Sequence, residues 1–345
     1  MTRKFVTLLI ILITLFTNKT IAQNEKTNSP VIIKFGIYIK KIVPDFKENK
    51  FYTEFFWWVK FKNDSTKTGF SNSDLLNLQY VNASNVETGA FLNEIEEGPK
   101  LDSEGEYYCE GYHGGDFYFN PDYTYYPFDE QRMDILVEHA METTDKIKIM
   151  IDSSSYIFSK QKASLWGVSN DIINNKTASY KIFKSEIKTE TGLYNTNFGD
   201  PEFSPSSDYS RLNTSIYLNR SFAPYIAKLI IPIFIILLLV YFVFFLPAEK
   251  IDIAAGLTVT SLLSAIAFQL SVSSDMPDIG YIIYIDKVFY TCYGLIALSM
   301  AQSLWTFYLD KTEEPKKVKL ALRIDIISRF LFPLIFFASL IFFAS

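Results

Sequence analysis

Cysteine and histidine are nearly missing from this chain, whose 345 residues carry two of each. Cys109 lies in a polar half and Cys292 in an apolar run, so no intrachain bridge is expected. An exported domain of roughly two hundred residues buries enough core to fold without one. His113 and His139 stand alone, without metal-ligand spacing. No nucleophile–base or metal motif of an enzyme occurs either, so no enzyme, cofactor or metal site is expected. A net charge of -5 leaves no basic excess for a nucleic-acid partner. Between the extreme N-terminus and Tyr225 no long apolar run occurs, whereas from Tyr225 onward such runs dominate.

The composition, 49% hydrophobic yet 21% charged, is therefore that of two unlike halves, one water-soluble and one in a membrane. The first 22 residues read as a signal peptide. Arg3 and Lys4 are its basic start, Phe5 to Phe16 its apolar core, and Thr20-Ile21-Ala22 its small-residue cleavage site. The rival reading is an uncleaved anchor, for which the apolar core is short. Residues 23–220 are expected to be an exported β-sandwich of immunoglobulin-like type. Phe51, Thr53, Phe55, Trp57, Val59 and Phe61 alternate with Tyr52, Glu54, Phe56, Trp58, Lys60 and Lys62. Gln131, Met133, Ile135 and Val137, and again Leu212, Thr214, Ile216 and Leu218, keep the same period of two. Trp166, before Gly167, is expected to start a strand.

Residues 221–345 are expected to form a four-helix transmembrane bundle, with spans at about 225–246, 252–273, 279–309 and 320–344. The third connection carries Lys311, Lys316, Lys317 and Lys319, and the second carries Asp275 and Asp278 without Lys or Arg. The positive-inside rule puts the third connection in the cytoplasm and the second outside. The expectation is a multi-pass protein of a bacterial inner (plasma) membrane, with its N-terminal domain and C-terminus outside the cytoplasm.

The second span is the odd one. It contains Ala254, Ala255, Gly256, Thr258, Thr260, Ser261, Ser264, Ser271 and Ser273. Steps of four and three put Asp252, Gly256, Thr260, Leu263, Ala267, Leu270 and Ser274 on one face. Several subunits turning this face to a common axis would line a watery path, with Leu263 as a dewetting gate and Asp252 as a carboxylate ring favouring cations. Two bland readings stand beside it. Small and hydroxyl residues also permit close helix packing, and Asp252 also suits a helix N-terminus.

Tyr126-Pro127-Phe128-Asp129-Glu130-Gln131 resembles the signature loop of the pentameric ligand-gated ion channels, aromatic-Pro-Phe-Asp-x-Gln. Its context is similar too: an alternating strand follows, a lone Arg220 closes the last strand, and four apolar segments come after. Leu78-Gln79-Tyr80-Val81-Asn82, Pro232, Pro277, Ser328-Arg329-Phe330 and Pro333 are further likenesses. The family's two loop cysteines fall on Phe119 and Met133, and the third connection is short, both as in the prokaryotic branch.

The resemblance implies a cation-selective, homopentameric channel in a lipid bilayer, opened by an extracellular small-molecule agonist and passing monovalent cations. It assigns the stripe to the pore, Leu263 to the gate and Asp252 to selectivity. The Pro-Ala-Arg entrance of anion-selective relatives is missing, and Lys250 is offset by Glu249. Asp129 and Arg220 would pair at the junction of the two halves, with Asp45 as a third member and Pro127 and Pro277 in the same coupling zone; the alternative is a static structural pair. Tyr194, Phe198, Phe203 and Tyr209 on the capping hairpin of one subunit, and Trp58 from its neighbour, are ligand candidates, since an aromatic box attracts an amine cation, against plain packing in a chain with 22 Tyr and 31 Phe. Glu94, Glu96, Glu97, Asp102, Glu104 and Glu106 form either a Ca²⁺ site or a solvated acidic loop. His113 and His139 are either pH sensors or incidental. Alternatives in function are an anion-selective or proton- or divalent-gated channel of the same fold, and a non-conducting membrane receptor.

Overall fold

The computed structural model describes residues 29–84, 95–156, 165–173, 180–199, 207–274 and 276–344. The expected signal peptide, Glu94, Phe203 and Asp275 therefore lie outside the described residues.

Among the described residues, nine strands make two sheets: β1 (Val31–Asp45), β2 (Lys50–Phe61), β3 (Leu78–Tyr80), β4 (Ile95–Leu101), β5 (Tyr107–Tyr118), β6 (Glu130–His139), β7 (Ile147–Ile151), β8 (Tyr180–Tyr194) and β9 (Ser207–Arg220). One sheet has the order β4-β5-β2-β1-β7 and the other β3-β6-β9-β8. Pairing is antiparallel except between β1 and β7.

The period-two residues explain the layering. Phe51, Thr53, Phe55, Trp57, Val59 and Phe61 are all at most 1% exposed, so one whole face of β2 is core. Met133, Ile135 and Val137 of β6 and Leu212, Ile216 and Leu218 of β9 meet that face from the other sheet. A β-sandwich results. Asn82 ties its layers together: its amide donates to the carbonyls of Tyr118 (2.9 Å) and Asp134 (2.7 Å) and accepts from Leu136 N–H (3.1 Å). Trp166 does not start a strand. It occupies a turn between the bridges Leu165↔Ser185 and Ile39↔Val168, where Gly167 holds φ at 62° and leaves Trp166 beside Tyr156.

Helices follow Arg220: α1 (Ile231–Tyr241), α2 (Ile251–Ser273), α3 (Tyr284–Asp310) and α4 (Pro315–Ala344). Among the described residues, three helical stretches are long and apolar enough to cross a membrane: Ala227–Phe245, Ala248–Ser273 and Pro315–Phe343. The expectation of four is met for three. The 27 residues of α3 suffice in length, but its four tyrosines, its Ser and Thr hydroxyls and Gln302 lower its hydropathy. It also starts later than expected, because Asp286 accepts from Ile283 N–H and so fixes the first turn there.

The expected span over 225–246 is not one regular helix. Ile226–Ile230 is a π-turn and Phe242–Phe245 a 3₁₀ turn, flanking α1. Pro232 lacks the N–H that would bond the carbonyl four residues back, which accounts for the irregular turn before it. At the other end α4 begins at Pro315, a residue suited to a first helical position, and not at Leu320.

Candidate functional site

Three groups of the anticipated residues have defined surroundings: one at the junction of sandwich and helices, one on α2, one at the far end of β8 and β9.

At the junction, β9 ends on Arg220 and β6 is preceded by Asp129. Arg220 Nε lies 2.8 and 2.9 Å from the two Asp129 carboxylate oxygens. The pair is withdrawn from water, with side-chain exposures of 7% for Arg220 and 1% for Asp129. Gln131 donates a short hydrogen bond to the same carboxylate. The guanidinium is caged by rings, at 3.9 Å over Phe46, 5.1 Å over Tyr126 and 5.7 Å over Tyr225, and it donates to the Tyr225 hydroxyl at 3.2 Å. Burial pulls the Arg220 pKa down, but the Asp129 charge and hydrogen bonds outweigh it, and the net displacement is upward.

The loop carrying Pro127 fastens the sandwich to the start of α3. Thr124 C=O accepts from Tyr284 N–H at 2.9 Å, Tyr281 OH accepts from Tyr123 N–H at 2.9 Å, and the Phe128 and Tyr284 rings meet edge to face. Tyr123 also donates to Phe46 C=O at 2.7 Å, which brings the β1–β2 turn into the same knot. Burial pushes the Tyr123 hydroxyl up to about 12, against the opposing pull of Arg220. The peptide between Tyr126 and Pro127 is cis.

Asp45 is placed differently from expectation. Its carboxylate accepts from the backbone N–H of Lys47 and Glu48, both at 3.1 Å, and so closes its own turn without pairing to Arg220. It does line, with Phe46, Arg220, Tyr225, Phe268 and Pro277, a cavity of about 710 Å³ between the sandwich and the helix ends that face it. Asp129, Arg220, Asp45 and Pro277 thus share one locality.

On α2 the division of faces is clear. Ala254, Thr258, Ser261, Ala265 and Val272 are buried. At about 100° per residue they centre on one side of the helix, and the opposite side is the stripe. Asp252, Gly256, Thr260, Leu263, Ala267, Leu270 and Ser274 are each exposed in the single chain. Leu263 and Leu270, at 63% and 67% exposure, are large apolar side chains that the described residues of their own chain leave mostly uncovered. The hydroxyls of the span divide between the two readings given them. Thr258 and Ser261 face inward, where Thr258 donates to Ala254 C=O at 2.9 Å, and Thr260 and Ser264 face outward.

At the far end of β8 and β9, Tyr194, Phe198 and Tyr209 come together with ring centroids 5.4–6.4 Å apart. Sequence reasoning missed what lies beneath them. Glu138 is fully buried, accepting from Arg211 Nε at 2.7 Å and from Tyr194 OH at 2.8 Å. Burial, then the neighbouring Glu138, pushes the Tyr194 hydroxyl up. Only the i, i+73 pairing of β6 with β9 creates this contact, so no local pattern signals it. Trp58, expected to reach the ligand from the adjacent subunit, lies apart from this group within its own chain. It sits on the other sheet, its indole N–H donating to Asp152 at 2.9 Å and its ring beside Tyr156.

The acidic stretch is partly spoken for. Asp102 accepts from the N–H groups of Glu104 and Glu106, and Glu106 is 2.8 Å from Lys34 Nζ. Among the described residues no group of three or more His, Cys, Asp or Glu side chains is placed to hold a metal. His139 is buried as a structural residue: Nδ1 accepts from Met141 and Glu142 N–H, and Nε2 lies 2.8 Å from Asp74 C=O. His113 lies 4.4 Å from the Tyr80 ring centroid. Neither models of known protein families nor curated proteins match this chain.

Proposed function

We propose that the chain is one subunit of a cation-selective homopentameric channel of the pentameric ligand-gated type. An extracellular small molecule opens a pore lined by α2. The observation that carries this reading is the stripe, in which seven residues expected to face a common axis are all exposed and lie opposite the packed face of their helix. An exposed row containing Leu263 and Leu270 calls for neighbouring copies, because water does not solvate such a row favourably and lipid gives no reason for Asp252, Thr260 and Ser274.

The reading takes α3 as a fourth span. Its length corresponds to about 40 Å. Thr291, Ser299 and Ser303 bond within the helix, to Lys287, Ile296 and Ser299 C=O, and Tyr284 and Tyr293 bond to Leu340 C=O and Gln269 on the neighbouring helices, as lipid requires. The sandwich is then extracellular and immunoglobulin-like, and both ends of the mature chain lie outside the cytoplasm. Ligand arriving near Tyr194, Phe198 and Tyr209 shifts a closed–open equilibrium through the Asp129–Arg220 knot and the Pro277 connection to the top of α2. Asp252 supplies the cation-favouring ring and Leu263 the dewetting constriction.

One observation favours a non-conducting receptor of the same fold: Thr258 and Ser261 show that part of the hydroxyl content of α2 serves packing. Cysteine substitution separates the two. A cationic thiol reagent is expected to block current through Thr260→Cys and to leave Thr258→Cys unaffected; both native cysteines are buried. Both are made in the Leu263→Ala background, which is expected to conduct without agonist; equal sensitivity of the two variants there, or no current in either with the protein at the surface, would remove the pore assignment.

A further inference from the structure

Gly256 is the one residue of the exposed α2 row without a side chain. Nothing in its own chain calls for glycine there. It lies in the second turn of a regular helix, and its φ is not in the left-handed region. A Cβ placed on it would meet no packing neighbour within 4 Å among the described residues, so close approach inside the chain does not require it either. Glycine weakens a helix relative to alanine. What this position supplies is therefore the space in front of it, on the side of the helix away from the packed face.

The residues along the row say what that space suits. Asp252 precedes Gly256 by four positions and Thr260 follows it by four, so about 12 Å of helix from acid to hydroxyl has a bare middle. Beyond Thr260 stand Leu263 and Leu270, 63% and 67% exposed, with Ala267 between them. Such side chains carry no oxygen to replace an ion's water. Na⁺ must drag its hydration shell past them, whereas an ammonium wrapped in alkyl groups is weakly hydrated and gains apolar contact there. Glu249 and Lys250, both exposed beside Asp252, offset each other and leave the carboxylate to attract a cation. Gly294 of α3 is similarly open, but Tyr290 and Leu298, one turn to either side, are 51% and 62% exposed and uncharged, so that face offers a cation no acid.

We propose that the path along α2 passes tetraalkylammonium ions beside Na⁺, and that Gly256 sets the largest ion admitted. A threonine at this position would bring the wall inward by about 2.5 Å in every copy, the reach of two bonds of about 1.5 Å at a tetrahedral angle. The inference rests on the channel reading and deepens it by naming a permeant class.

The test is the reversal potential of the full chain carrying Leu263→Ala, so that current flows without agonist. Na⁺ is placed on one side and tetramethylammonium or tetraethylammonium on the other. Both organic cations are expected to carry current. G256A and G256T in the same background should exclude them progressively, tetraethylammonium first. G256T should lower the permeability of tetraethylammonium relative to Na⁺ by on the order of tenfold or more, the effect of one misfitting group in a confined site. A Na⁺ current with both organic cations excluded before Gly256 is altered would overturn the proposal and spare the channel. So would a permeability ratio that G256T does not move. If Gly256 instead serves close packing between copies, both variants should dissociate in native mass spectrometry, which would overturn the proposal as well. A leak carried by Cl⁻, or no leak with the protein at the surface, would overturn the cation-channel reading and this inference with it.

Discussion

The Asp129–Arg220 pair offers a worked energetic prediction. Both side chains are almost withdrawn from water, at 1% and 7% exposure, and one guanidinium nitrogen serves both carboxylate oxygens. Neutralising one partner strands the other charge in a cage of Phe46, Tyr126 and Tyr225, at a cost of about 3–5 kcal/mol. Asp129→Asn should therefore destabilise by about that amount. Arg220→Gln should cost somewhat less, about 2–4 kcal/mol, because Gln131 still donates to the carboxylate. In the double variant no buried charge remains, so its loss should fall short of the sum by at least about 2 kcal/mol. A domain of this size shifts by about 2–4 °C per kcal/mol, which puts each single variant several degrees below the parent. The assay is thermal denaturation of the purified chain at one fixed scan rate, so that the four proteins are ranked under the same kinetic regime. Strictly additive losses would refute the argument, for then the two groups act independently despite their 2.8 Å contact.

Two further perturbations follow from hydrogen-bonded polar groups. Asn82→Ala removes three hydrogen bonds between the layers and should cost about 2–3 kcal/mol, read as a fall in the same denaturation midpoint; an unchanged midpoint would show that water replaces the amide. Burial holds the His139 pKa below its ordinary 6.5, although Asp74 C=O and the charges of Glu142 and Asp74 pull upward. The neutral ring is therefore the folded form. Its contribution is intact above about pH 6.5 and is lost as pH falls from there toward the lowered folded value. The midpoint of the parent should drop between pH 7.5 and 5.5 by more than that of His139→Gln, and equal drops would contradict the assignment.

What could be read from residue order was what repeats locally. The alternation in β2, β6 and β9 placed the core face correctly because side-chain direction in a strand depends only on parity. The stripe on α2 likewise needed only helical geometry, and its residues prove to be exposed together. Of the contacts across sequence, the Asp129–Arg220 pair was anticipated, and only through the family resemblance; the others were not legible. The Phe46 ring over Arg220, the Arg211 beneath Glu138 and the staple at Asn82 join residues that no spacing rule connects. Asp45 shows the complementary error: a carboxylate in a tight turn is claimed first by its own backbone, here Lys47 and Glu48 N–H. The first span failed as a regular helix because a single proline dictates a local rearrangement that hydropathy does not register.

The central claim is that the exposed row on α2 lines a cation path closed at Leu263. The most direct measurement is the reversal potential of the Leu263→Ala variant across a NaCl gradient, beside the parent. The account predicts a standing leak that the parent lacks, reversing near the Na⁺ equilibrium potential. Reversal near the Cl⁻ potential would contradict the role given to Asp252, and no added current with the variant at the surface would contradict the pore itself.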